Sequence, residues 1–118
     1  MFKSIEWTGF DDRHDLQRQV EDRLPDIAAE VGSLADLVDV EIAARDDQAD
    51  GPLLSVKFGL SVAGLSASQH ALVDADWLHQ PRLLMRVVRG LWGVVLDSFL
   101  RQLARRVNRD LLATTAGV

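Results

Sequence analysis

The pattern of apolar and polar residues changes its period along the chain. Four stretches alternate apolar and polar side chains, as strands with one buried face do. They are residues 2–8, 37–44, 53–62 and, with less distinct faces, about 66–75. Two other stretches, 13–31 and 81–109, repeat apolar residues at steps of three and four, which is typical of amphipathic helices. The pattern therefore predicts the order strand, helix, three strands, helix.

The period of two also predicts which strand residues face the core. They are Ile5 and Trp7 in the first strand, Val38, Val40 and Ile42 in the second, and Leu54, Val56, Phe58, Leu60 and Val62 in the third. Strands with one polar face and two amphipathic helices predict a two-layer α+β domain, in which both helices pack on one face of a mostly antiparallel, four-stranded sheet. At 118 residues, the chain is expected to form this single domain over residues 1–118.

Residues at the ends of the predicted elements suggest how these elements start and stop. The pair Asp11-Asp12 offers N-cap side chains for the first helix, and Gly32 is suited to end it. Pro25 lies inside that helix, where it removes a backbone donor, so we expect a kink or a restart at Asp26. Asp74 and Asp76 are expected to close the fourth strand and to cap the next helix.

Two further segments are predicted to lie outside regular structure. Residues 45–52 are polar and contain Gly51 and Pro52, so they predict a mobile hairpin loop. Residues 110–118 come after the last helix and predict a frayed tail. Between the third and fourth strands, Ala63-Gly64 predicts a turn.

The centre of the last helix is apolar nearly all the way round, from Leu91 to Leu96. One interpretation is that this centre lies in the core, covered on more than one side, with Gly90 and Gly93 at a close helix–sheet crossing. The other is an interface for a second copy or a partner. The candidate interface residues are Leu91, Trp92, Val94, Val95 and Leu96.

Composition limits the classes of function. A hydrophobic content of 47% with mixed charges predicts a folded, soluble protein. The absence of cysteine removes disulfides, thiolate nucleophiles and most zinc sites, and it is consistent with a reducing compartment. The first residues do not resemble a signal peptide, and no stretch of about 18 residues is purely apolar, so we expect no membrane span.

Catalytic motifs are absent from the sequence. The histidines His14, His70 and His79 lack the spacing of a metal site, and the chain has no Gly-rich phosphate loop and no nucleophile elbow. We therefore predict a protein that is not an enzyme, with no catalytic residue, metal ligand, cofactor or small-molecule substrate.

Charge is unevenly distributed, although the net charge is only −5. Residues 1–78 contain 6 Lys/Arg and 16 Asp/Glu, whereas residues 79–118 contain 7 Arg and 2 Asp. The arginines of the last helix can pair with the domain's own carboxylates, or they can contact the phosphates of an anionic partner. The sequence leaves both interpretations open. These arginines are Arg82, Arg86, Arg89, Arg101, Arg105, Arg106 and Arg109.

Several short motifs resemble those of the ribosome hibernation-promoting factors, also called ribosome-associated inhibitors. They are Thr8-Gly9 at the end of the first strand, Leu16, Val20, Glu21 and Leu24 in the first helix, Val38-Asp39-Val40-Glu41-Ile42 in the second strand, and Arg101-Gln102-Leu103 with Arg105 and Arg106 in the last helix. The element order is also that of the family.

This resemblance implies a cytoplasmic stress factor that binds the small ribosomal subunit and its rRNA without catalysis. It makes Arg101, Arg105 and Arg106 candidates for rRNA contact, together with Arg18 and Arg23 of the first helix. The sequence departs from the family pattern at Pro25, in an insertion of about ten residues before the last helix, and in its acidic first helix. A protein-interaction domain of the same fold, which dimerises or binds a partner through the apolar last helix, is the alternative.

Overall fold

The fold contains four strands and two long helices in the predicted order. A computed structural model describes residues 1–47 and 51–116. The strands are β1 (Ser4–Thr8), β2 (Val38–Asp47), β3 (Gly51–Val62) and β4 (Leu65–Asp74), and the helices are α1 (His14–Val31) and α2 (Pro81–Ala116). Short 3₁₀ helices at Gly32–Leu37 and Ala75–His79 connect α1 to β2 and β4 to α2.

The strands form one sheet in the order β1-β2-β3-β4. β1 pairs with β2 in parallel, and the two other pairings are antiparallel. A parallel pair needs a crossover connection, and α1 supplies it. The predicted α+β fold with a mostly antiparallel sheet is therefore confirmed.

One hydrophobic core joins the inner face of the sheet to both helices. Ile5 and Trp7 of β1 are half-buried against it, as predicted. The buried residues of the main elements are Val38, Val40 and Ile42 of β2, Leu54, Val56, Phe58 and Leu60 of β3, Ala67 and Val73 of β4, Val20, Leu24, Ile27 and Val31 of α1, and Leu84, Val88, Leu91, Trp92 and Val95 of α2. Val62, at the end of β3, is 37% exposed and is the one predicted inward residue of this strand that lies outside the core.

The first strand begins later than the sequence predicts. β1 starts at Ser4, and Phe2 lies ahead of it. Because Phe2 is outside the strand, its side chain is free of the alternation that would have placed it on the polar face. Its ring centroid lies 5.9 Å from that of Phe58, and the residue is buried.

The first helix continues through Pro25 without a restart. Pro25 is exposed, whereas Leu24 and Ile27 on either side are buried. The predicted restart at Asp26 is wrong because a proline removes only one backbone hydrogen bond, and the packing of these flanking residues holds the helix together.

The start of α1 also differs from the prediction. Its N-cap residue is Arg13, which makes no side-chain capping bond, so the predicted Asp11-Asp12 cap is not formed. The amide of Arg13 instead donates to the carbonyl of Phe10. Phe10 is buried edge-to-face against Trp7, which anchors this turn.

Most of the predicted loop at 45–52 belongs to strands. β2 and β3 remain paired as far as Asp47 and Gly51. Strand pairing is made by backbone groups, so polar side chains do not end it. Residues 48–50 lie outside the described part of the chain. The predicted turn at Ala63-Gly64 is confirmed: both residues have positive φ, 54° and 79°, which a two-residue hairpin turn of matching twist requires.

The last helix is longer than predicted and projects past the sheet. α2 has 36 residues, a length of about 54 Å at 1.5 Å per residue, within a molecule whose longest extent is 63 Å. Gln102 Nε2 donates to the carbonyl of Ser66 at 2.8 Å, and Arg106 donates to that of Ala63. Residues after Arg106 therefore lie beyond the β3–β4 turn. Residues 110–116 are helical rather than a frayed tail.

Candidate nucleic-acid interface

The seven arginines of α2 lie in two separate groups rather than in one strip. The first contains Arg82, Arg86 and Arg89, and the second contains Arg101, Arg105, Arg106 and Arg109. Arg86 and Arg105 are 19 positions apart, about 28 Å along the axis. At about 100° per residue, Arg101, Arg105 and Arg109 are rotated by roughly 130° from the first group. The two groups are therefore separate sites.

The first group is partly neutralised by α1. Arg89 Nε lies 2.6 Å from Glu30 Oε1, and the Glu30 side chain is 24% exposed. The hydrogen bond to Glu30, followed by its Coulombic attraction, raises the pKa of Arg89 above its ordinary value. A raised arginine pKa keeps the Arg89 guanidinium charged throughout the neutral range, so raising the pH through that range does not weaken the pair.

Arg82 and Arg86 have no such partner among the described side chains. Both are exposed, and with Met85 they line an open groove of about 440 Å³ that also borders Glu30. Glu30 removes one unit of positive charge from this groove and so weakens its attraction for a phosphate.

The second group surrounds the place where α2 leaves the sheet. Arg105, Arg106 and Arg109, with Gln102, line an open groove of about 470 Å³ next to Gly64 and Leu65. Arg106 is held by the carbonyl of Ala63, and this bond fixes the position of its guanidinium on the turn. A carbonyl neutralises no charge, so Arg106 remains available to an anion.

The remaining cations of the second group differ in their pairing. Arg101 Nε lies 3.0 Å from Asp97 Oδ2, four residues earlier on the helix. Within the described residues, Arg105 and Arg109 form no ion pair, and both are exposed. Guanidinium groups with free donors bind phosphate through two parallel hydrogen bonds. This groove therefore combines one fixed arginine with two unpaired ones.

The arginines of α1 lie in different surroundings. Arg23 Nε donates to the carbonyl of Leu78 at 2.8 Å, and its Nη1 lies 3.8 Å from Asp26. It therefore connects α1 to the segment before α2. Arg18 is exposed, and Asp15 and Asp22 lie three and four positions away on the same helix face. Neither arginine belongs to a basic surface.

The open face of the sheet is a further groove that the sequence did not indicate. Lys57 Nζ lies 3.7 Å from Glu41 on the neighbouring strand, and His70 is opposite Lys57. These residues, with Ser55, line a groove of about 240 Å³. In the described part of the chain, no group of three or more histidine, aspartate or glutamate side chains could hold a metal ion. Lysine, glutamate and histidine in one row leave this face mixed in charge.

The apolar centre of α2 lies mainly in the core. Leu91, Trp92 and Val95 are buried, Leu96 is half-buried, and Val94 is 52% exposed. Three of the five candidate interface residues are thus unavailable to a partner, because they pack on the sheet and on α1.

Apart from Val94, the exposed large apolar residues of α2 lie farther along the helix, and none of them was predicted as an interface residue. They are Leu100, Leu103, Val107, Leu111 and Leu112. The signal was present as a second run of apolar steps of three and four. Leu100, Leu103 and Val107 lie within the predicted helix 81–109, and Leu111 and Leu112 lie within the predicted frayed tail.

In the described residues, no helix combines the length and apolar character needed to cross a membrane. No protein-family model and no curated protein matches the chain in sequence.

Proposed function

We propose that this protein is a non-enzymatic, RNA-associated factor that contacts phosphates through the second arginine group of α2. The observation that carries the proposal is the groove in which Arg105 and Arg109, exposed and without ion pairs in the described chain, stand beside the fixed Arg106. Phosphate contacts supply most of the sequence-independent affinity for nucleic acids.

The position of this groove reduces the opposition expected from the acidic part of the chain. α1 ends at Val31, and its contact with α2 through Glu30 is at Arg89. Arg105 is 16 positions farther along, about 24 Å. Charges separated by more than a Debye length, about 8 Å at physiological ionic strength, are largely screened. The carboxylates of α1 therefore have little effect on a phosphate bound at this groove.

The small ribosomal subunit is the RNA partner that the sequence resemblance supports. Three residues of its motif in the last helix, Gln102, Arg105 and Arg106, line the groove, whereas Arg101 and Leu103 do not. Arg18 and Arg23, which the resemblance also implied, have acidic neighbours or a structural partner. In the proposal, binding depends on α2 rather than on α1.

The alternative interaction domain has lost part of its original support. It was predicted to use Leu91, Trp92, Val94, Val95 and Leu96, and three of these, Leu91, Trp92 and Val95, are in the core. The apolar surface that α2 does expose is a different one.

The proposal predicts salt-sensitive co-sedimentation with 30S and 70S ribosomes. In Arg105→Glu/Arg109→Glu, binding at low salt is expected to fall by at least about tenfold, because two phosphate contacts become repulsive. The slope of log K against log salt is expected to become less steep by about 1.4, for two contacts at about 0.7 each with single-stranded RNA. Pelleting assays across a salt series measure both quantities.

The matched control is Lys3→Glu/Arg45→Glu. It changes the net charge by the same amount at two exposed cations that lie outside α2 and do not line the groove, and it is expected to retain most of the binding. Equal losses in the two double variants would mean that only net charge matters. A parent protein that does not pellet with ribosomes even at low salt would refute the ribosomal assignment.

A further inference from the structure

An apolar stripe runs along the outer half of α2. It consists of Leu96, Leu100, Leu103, Val107 and Leu111, at steps of four, three, four and four. Leu100, Leu103, Val107 and Leu111 are 51%, 39%, 47% and 61% exposed. At about 100° per residue, all five fall within an arc of roughly 80°. This stripe is a continuous apolar surface, and surfaces of this kind mark interaction sites.

The stripe continues the side of α2 that contacts α1. Arg89, which binds Glu30, lies on that side. Steps of seven residues return to nearly the same side of a helix, so Leu96 and Leu103 follow Arg89 along it. α1 ends at Val31, and the chain then turns into the sheet. Within the described residues, α2 thus has a helix beside it up to Arg89 and none beside the stripe.

We propose that a second copy of this chain packs its own stripe on this one, with the two α2 helices antiparallel. The stripe is self-complementary in that arrangement. About a twofold axis near Leu103, Leu96 of one copy lies opposite Leu111 of the other, and Leu100 lies opposite Val107. A twofold interface uses the same surface on both subunits, and this spacing satisfies that requirement.

The charges around the stripe are compatible with a second copy. Arg105 and Arg109 lie on the opposite side of α2, roughly 180° from the stripe. Arg101, nearer to it, is neutralised by Asp97 at 3.0 Å. Pairing therefore brings no unpaired arginines of the two copies together. It also leaves the groove at Arg105 open in each copy, so dimerisation goes beyond the proposed RNA contact and does not depend on it.

The area of the stripe predicts a reversible dimer. A side-chain carbon corresponds to about 30 Å² of apolar surface, so five half-exposed side chains provide about 300 Å². Apolar atoms make up about 60% of a typical interface, so about 300 Å² of apolar surface corresponds to about 500 Å² buried on each copy. The total of about 1,000 Å² is at the lower limit for a specific interface, which is the class of weak and transient complexes.

Sedimentation velocity across a concentration series tests the pairing. The mass is expected to rise from 13.1 kDa toward twice that value between about 1 µM and about 1 mM, the range that brackets a weak dissociation constant. Leu100→Glu is expected to remain monomeric throughout. Leu72→Glu is the matched control, because Leu72 is also 51% exposed but lies on β4, and it is expected to dimerise like the parent.

Disulfide trapping tests the antiparallel arrangement. The chain has no cysteine, so one introduced thiol per copy gives an unambiguous result. Leu103→Cys lies near the twofold axis and is expected to form a covalent dimer under mild oxidation. Leu111→Cys is not expected to do so, since the two copies of position 111 would be about 22 Å apart along the helices. Equal cross-linking at both positions would overturn the antiparallel arrangement.

Two results would overturn the second copy as the occupant. One is a monomeric parent over the whole concentration range. The other is a monomer that floats with phosphatidylserine vesicles and loses flotation in Leu100→Glu, which would assign the stripe to an anionic membrane surface. Neither result would bear on RNA binding, because ribosome pelleting of Leu100→Glu measures that separately.

Discussion

Replacing Trp92 by alanine is expected to lower the free energy of unfolding by about 3–5 kcal/mol. The Trp92 side chain is 8% exposed and belongs to the core between α2, the sheet and α1. Its removal loses the transfer free energy of a large aromatic group and leaves a cavity that the surrounding strands cannot fill. Urea unfolding followed by far-UV circular dichroism measures the change, provided that the transition is two-state.

Val94→Ala is the control for this experiment. Val94 lies two positions farther on the same helix and is 52% exposed. Its truncation is expected to change the free energy of unfolding by no more than about 0.5 kcal/mol, as for most surface positions. If Trp92→Ala were as stable as Val94→Ala and changed only self-association, Trp92 would be an interface residue rather than a core residue.

Trp92 and Val94 show why the sequence predicted the elements but not the surface. The period of three and four identified a helix, and the period of two identified the inner faces of β2 and β3. Both periods reflect one buried side. From Leu91 to Leu96 the helix is apolar nearly all round, and the pattern then no longer distinguishes the buried side from the exposed one. The positions of α1 and β4 decide which side of the helix is buried, and those positions are set by the tertiary structure.

The pairing of the arginines was equally inaccessible from the sequence. Arg89 meets Glu30 across 59 positions of sequence, and Arg106 meets the carbonyl of Ala63 across 43. The pairs Arg101–Asp97 and Arg23–Asp26, by contrast, have helical spacings of four and three that can be read from the chain. The sequence therefore identified the basic helix, and the fold separated its neutralised arginines from its free ones.

Errors at element ends have a common cause. Local sequence signals that interrupt a helix or strand are present at Pro25, at the polar residues 45–47 and after Arg109. In the structure, packing on both sides of Pro25 and pairing of β2 with β3 outweigh those signals. Residues 110–116 continue a helix that is already formed, and extension of a helix costs far less than nucleation.

The two proposed surfaces share the part of α2 that adds little to the core. Among the residues of this helix whose burial is described, 81–113, the last buried one is Val95. Beyond it, α2 is positioned by Phe99, Gln102 and Arg106, which leaves one side for arginines and the opposite side for the stripe. Substitutions on either side can therefore be tested without the loss of stability expected at Trp92.

Gly9→Ala is expected to lower the free energy of unfolding by about 3 kcal/mol, more than a left-handed backbone alone would cost. Gly9 has φ +80°, and a Cβ there would lie 2.6 Å from the carbonyl oxygen of Ala44. The left-handed conformation accounts for about 1–2 kcal/mol. The remainder arises because β2 is backbone at the point of contact and must move, which disturbs its pairing with β1. Urea unfolding of parent and variant measures the total.

Gly64→Ala separates the two contributions to this loss. Gly64 has nearly the same φ, +79°, and a Cβ there would lie 3.9 Å from Arg106 Nη1, an ordinary van der Waals distance. Both substitutions restrict the unfolded chain equally, so the difference between their free energies of unfolding isolates the contact with Ala44. We expect Gly9→Ala to be less stable than Gly64→Ala by about 1–2 kcal/mol. Equal losses would contradict a close approach at Gly9. A larger loss of stability in Gly9→Ala would mean that the fold itself requires the glycine of the Thr8-Gly9 motif, independently of any RNA contact.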